Sequence, residues 1–80
     1  MNIQLIQGEF NANDALELIT QLIHVKIKYH ENKINADATE EDIKRRESKI
    51  KLLQKELYEF KDAFVSKKGS VKMDSVINVN

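Results

Sequence analysis

The most regular pattern in the chain lies between Ile43 and Phe64. Ile43, Ile50, Leu57 and Phe64 recur every seven residues, Leu53 and Phe60 fill the intermediate positions, and Arg46 is the one polar member. This is a heptad seam, which predicts a helix in left-handed packing against another helix. Residues 12–34 show a looser helical period. Placed at steps of about 100°, Ala15, Leu16, Leu18, Ile19, Leu22, Ile23, Val25, Ile27 and Tyr29 cover an arc of roughly 200°. Glu17, Thr20, Gln21, His24, Lys28 and Glu31 occupy the remainder. So broad an arc predicts contacts on two sides: a second helix, and a sheet or another subunit.

Both ends of the chain alternate instead. In "NIQLIQ", Ile3 and Leu5 are expected to share one strand face and Gln4 and Ile6 the other, with Gly8 breaking the run. After Gly69, Val71, Met73, Ser75, Ile77 and Val79 fall on one face. Lys72, Asp74, Val76, Asn78 and Asn80 fall on the other, as in a sheet covered on one side.

Capping residues mark the joints. Asn11 is suited to cap the first helix, with Phe10 before it and Asp14 at the third helical position. "NADAT" breaks the helical period, and Thr39 with Asp42 resembles a capping box. Glu40, Glu41 and Asp42 suit the positive end of the second helix, and Lys67, Lys68 and Gly69 its C-terminal end. The expected order is a strand at about residues 2–7, a helix at about 12–34, a loop at 35–39, a helix at about 40–68 and a strand at about 71–79. All of it forms a single domain, 1–80.

The fold class is therefore α+β and predominantly α: a long antiparallel helical hairpin with short terminal strands, β-α-α-β. Both strands meet the hairpin at its open end, so neighbouring strands run antiparallel. The pattern leaves open whether they pair within one chain or between two. A lone two-stranded ribbon is marginal in water, and 80 residues build a small core. A dimer or higher homo-oligomer is expected, with the hairpins forming a helical bundle and the ribbons a small antiparallel sheet. Leu16, Ile19, Ile23, Ile50, Leu53, Leu57, Phe60 and Phe64 are its expected interface.

Composition narrows the functions open to such a chain. Thirteen basic residues balance thirteen acidic ones, which disfavours a protein built to hold nucleic acid by its backbone. There is no Cys, hence neither a disulfide framework nor a thiolate metal site. "MNIQLIQGEF" lacks the basic and apolar regions of a signal peptide, and no apolar run approaches the roughly 20 residues of a membrane span. A cytoplasmic protein without a membrane partner is the expectation.

Candidate chemistry is sparse. His24 and His30 stand six apart on one helix, about 120° from each other, and do not converge on a metal. The serines have no nucleophile context, and two glycines cannot form a phosphate-cradling loop. Carboxylates alternate with Lys and Arg along a solvated face, where Glu40–Lys44, Glu41–Arg45, Asp42–Arg46 and Glu47–Lys51 have i,i+4 spacing. No catalytic residue, cofactor site or metal site is assigned, and the chain is not expected to be an enzyme. The first expectation is a protein–protein interaction or oligomerisation module. The alternative is a small regulator that binds nucleic acid or an acidic partner through Lys44, Arg45, Lys49 and Lys51.

Two resemblances bear on this. Strand–helix–helix order resembles the ribbon–helix–helix DNA binders. Their helices are short, however, and "NIQLIQ" offers no basic side chain to a groove. "IQLIQGEF", the capped helix start and the long Lys/Glu-rich second helix look similar to short uncharacterised bacterial proteins of strand–helical-hairpin–strand type. That likeness implies a small bacterial protein and carries no activity, cofactor or functional residue.

Overall fold

The structure is a computed structural model that describes residues 1–80. It has the β-α-α-β order: β1 (Asn2–Asn11), α1 (Ala12–Lys33), α2 (Glu40–Phe64) and β2 (Ser70–Asn78). The strands pair with each other, within the chain, as a two-stranded antiparallel ribbon. At its far end the Met1 ammonium donates to the Val79 carbonyl at 2.9 Å, and the Val79 N–H donates to the Met1 carbonyl at 2.7 Å.

Strand β1 is longer than the alternation suggested. It runs through Gly8 to Asn11 rather than stopping near Gln7. Gly8 holds φ +135°, a conformation that side-chain-bearing residues rarely adopt, and pairs with Met73. A Cβ there would meet nothing within 4 Å, so the backbone angle calls for glycine and crowding does not.

The expected facing of Ile3 with Leu5 is also corrected. Gln4 pairs with Val76 and Ile6 with Ser75, so Leu5 is the extra residue of a β-bulge. Side chains alternate with a period of two, and one extra residue reverses that phase. Ile3 therefore shares a face with Ile6, Gly8 and Phe10, opposite Ile77, Ser75, Met73 and Val71. The other face pairs Gln7 with Asp74 and Glu9 with Lys72. The bulge puts Ile3 on the same side as Ile6 and Phe10, which unbroken alternation could not do, while Val76 stays opposite Gln4 on the other side.

The helices begin where their caps stand. The Asp14 N–H donates to Asn11 Oδ1 at 2.8 Å, and Asn11 Nδ2 donates to the Asp14 carboxylate at 3.0 Å. The Asp42 N–H donates to Thr39 Oγ1 at 3.1 Å. Such a cap satisfies an amide that the first turn leaves without a partner. Helix α2 ends at Phe64, four residues before the expected Lys68. There the Val65 and Lys67 N–H groups bond three residues back, to Asp62 and Phe64, and the chain tightens out of the α-helix. Gly69, at φ +90°, then turns into β2, and its carbonyl accepts from the Ala12 N–H at 3.0 Å. That bond ties the two strand–helix joints together.

The interior is small. Only Ala12, Ala15, Leu53 and Leu57 are buried. Every other member of the α2 seam, Arg46 included, is half-covered. Helix α2 approaches only α1, and the ribbon approaches only α1, so neither the hairpin nor the ribbon is covered by a further layer. The result is a thin body of 47 × 34 × 13 Å. Its radius of gyration is 15.4 Å. A compact chain of this length is expected near about 12 Å, and about 15 Å belongs to one twice as long. Its accessible surface is 6453 Å², where a compact monomer of 9.3 kDa is expected to expose about 5,000 Å².

Candidate functional site

The residues expected at an oligomer interface divide into two groups. Leu53 and Leu57 are buried inside the single chain, and α1 is the one element near enough to cover them. Leu16, Ile19, Ile23, Ile50, Phe60 and Phe64 are half-covered. Phe60 and Phe64 pack ring on ring, with centroids 4.4 Å apart. The seam of α2 and the Leu16–Ile19–Ile23 side of α1 thus run along the hairpin contact. Their outer flanks stay open.

A second apolar row lies elsewhere on α1. Leu18, Leu22, Val25 and Tyr29 follow one another at spacings of four, three and four residues along a flank of α1 beside the α2 contact, where the Arg46 guanidinium of α2 lies 5.8 Å from the Tyr29 ring. Leu18 and Leu22 are half-covered, whereas Val25 is 65% exposed and Tyr29 54%. The row was contained in the broad apolar arc, and its spacing repeats that of Leu16, Ile19 and Ile23, so only the position of α2 separates the two rows. Beside it, Phe10, Asp14, Glu17, Leu18 and Gln21 line an open cleft of about 340 Å³. Phe10 belongs to the ribbon's apolar face, so the row and that face adjoin.

Comparison with known proteins finds no matching family model, no matching curated protein and no matching solved structure. The arrangement of side chains has to carry the functional reading.

Among the basic residues singled out in the sequence, Lys44 reaches Glu40 at 3.7 Å and Arg45 reaches Asp42 at 2.8 Å. The i,i+4 partners expected for Arg45, Arg46 and Lys51 are not within bonding range. Lys49 and Lys51 are exposed. Arg46 instead crosses to α1, where its Nη1 lies 3.0 Å from His30 Nδ1. A guanidinium can only donate, so Nδ1 accepts and the ring proton sits on Nε2. The surroundings favour that neutral ring. Partial desolvation, then the charges of Arg46, Lys49 and Lys26, hold the His30 pKa below the ordinary histidine value.

Lys26, His30, Lys49, Leu52, Leu53 and Glu56 line an open cleft of about 280 Å³ between the helices. The Tyr29 ring stands close by, with Lys33 Nζ 5.5 Å and the Arg46 guanidinium 5.8 Å from its centre. This basic strip combines Lys49 from the expected set with Lys26 and Arg46, which it did not include. Residue spacing along one helix does not reveal a cluster assembled across two.

The largest cleft, about 700 Å³, opens at the corner between ribbon and hairpin and is lined by Asn11, Asn13, Asp14, Lys67, Lys68 and their neighbours. No three His, Asp or Glu side chains come together as a metal-binding group. His24 is exposed and stands apart from His30. No helix is long and apolar enough to cross a membrane.

Proposed function

We propose that this chain is a small non-catalytic protein–protein interaction module that works as a homodimer. Two hairpins would form a helical bundle, and the ribbons would supply its small sheet. One observation carries the reading: the single chain exposes about 1,500 Å² more than a compact monomer of its mass should. A stable domain encloses a core between two layers, and here α2 and the ribbon each meet only α1, which leaves Ile3, Ile77, Val25 and Leu52 among the exposed apolar side chains. Standard interfaces take about 800 Å² per partner and obligate homodimers more, so the surplus matches an obligate contact. A cytoplasmic setting fits a Cys-free, charge-balanced chain of this kind.

Light scattering on eluting protein at micromolar concentration tests the reading. The expected mass is twice the 9.3 kDa of one chain. A stable species of one chain mass would refute it.

A second reading rests on the strip of Lys26, Arg46 and Lys49. These cations converge beside His30, and none of them is paired to a carboxylate. The strip suits an acidic partner or a nucleic-acid phosphate. Salt-dependent retention on heparin is its signature, and free passage at low salt removes it.

A further inference from the structure

We infer that a second copy of this chain seats on the outer face of α1, antiparallel to it, with the two-fold axis crossing the helix near Leu22. The inference rests on the homodimer reading and adds its surface and orientation. The outer row of Leu18, Leu22, Val25 and Tyr29 has the spacing of a helix–helix seam, and its Val25 and Tyr29 are exposed. An isologous pair of helices in contact is either parallel or antiparallel, according to the direction of the axis.

Charge decides between the two. Asp14 and Glu17 make the first half of α1 acidic. Lys26, Lys28 and Lys33 outweigh Glu31 in the second half. A parallel pair would set Asp14 against Asp14 and Lys28 against Lys28 beside the row. An antiparallel pair sets each acidic half on a basic half, and opposes the two helix dipoles as well.

Packing points the same way. With the axis at Leu22, Leu22 meets its own copy and Leu18 meets Val25 of the second copy. Asp14 and Lys28, which flank the row on one side, come opposite each other across the contact. Tyr29 of the second copy arrives at the open cleft beside Phe10, Asp14 and Leu18. That cleft offers an apolar wall for the ring and carboxylate and amide groups for the hydroxyl. An exposed aromatic side chain entering a partner's cleft is the usual anchor of an interface. Phe10 continues the contact onto the ribbon, which helps to account for a surplus surface larger than one helical row.

Single-cysteine crosslinking tests this in a chain that has no Cys of its own. Under mild oxidation, Leu22→Cys is expected to form a disulfide-linked dimer, because its two copies face each other at the axis. Tyr29→Cys is expected to form none, since its copies would stand about 21 Å apart along the helix, beyond the roughly 7 Å that a disulfide spans. Gln21→Cys, at an exposed position one residue from the axis, repeats the positive test should Leu22→Cys fail to fold. Equal crosslinking at Leu22 and Tyr29 would mean a parallel pair and overturn the inference. A protein of two-chain mass whose Leu22→Cys and Gln21→Cys variants both stay uncrosslinked would leave the homodimer reading standing and this surface refuted. A protein of one-chain mass would remove both.

Discussion

If the chain completes its core only with a second copy, diluting it should lower its melting temperature. The size of the effect follows from the structure. Leu53, Leu57 and two alanines are all that a single chain buries, so dissociation and unfolding are expected as one step. Two chains of 80 residues then melt together. At about 0.7 kcal/mol per residue, the unfolding enthalpy comes to about 110 kcal/mol of dimer. For a dimer that melts to two unfolded chains, 1/Tm shifts by R ln(C1/C2)/ΔH. A hundredfold dilution therefore lowers a melting point near 60 °C by about 9 °C. Circular dichroism at 222 nm in cells of different path length covers the range from about 5 to 500 μM. A Tm that holds within about a degree across it would show that one chain is stable by itself. The reasoning from surplus surface to missing core would then be wrong.

Other outcomes follow from particular residues. Deleting Leu5 removes the extra residue of the bulge and leaves every other strand pair in register, so the variant should fold with Tm close to that of the parent. Deleting Gln7 instead should turn Phe10 to the polar face and lower Tm sharply. Leu57→Ala removes one of the two large buried side chains and should cost about 2–5 kcal/mol in urea unfolding. Leu57→Glu should abolish folding or assembly. If Leu57→Glu keeps mass and Tm, the seam assignment fails. Because the His30 pKa is lowered in the folded chain, the unfolded state binds the proton more readily. This contribution should be fully present above the ordinary value of about 6.5 and be lost as the pH falls through the folded pKa. Comparing melts at pH 7.5 and 5 for the parent and His30→Gln isolates it. An identical pH dependence in the two proteins would refute the assignment.

Much of the fold was legible because it is written in local chemistry. Asn11 and Thr39 hold the caps expected of them, since a short oxygen-bearing side chain before an apolar period has one obvious amide to satisfy. The seven-residue period of α2 marked the face that α1 covers, because side chains on one face of a helix share one neighbour. Where the local pattern was incomplete, the boundaries moved. Val65 and Ser66 are ordinary enough helix residues, yet the chain must leave α2 early to bring Gly69 to Ala12. Gly8, taken alone, marks a break. Within a paired strand it supplies the one backbone angle that its neighbours cannot.

The candidate surfaces were less legible, for the same physical reason. The basic strip joins Lys26 and His30 of α1 to Arg46 and Lys49 of α2, and its geometry depends on how far the two helices have slid past each other. In the arc of α1, Leu18 and Leu22 look no different from Ile19 and Ile23 until α2 has taken one side.

By itself, the sequence determined the elements, their caps, the β-α-α-β order and the seam of α2, because each depends on residues within a few positions of one another. The tertiary structure decided the rest. It assigned each strand to its own chain's ribbon, placed the bulge at Leu5, turned Arg46 toward His30, and left Val25 and Tyr29 of the outer row of α1 exposed. Those outcomes depend on register and on which faces meet, and such distances exist only once the chain has folded.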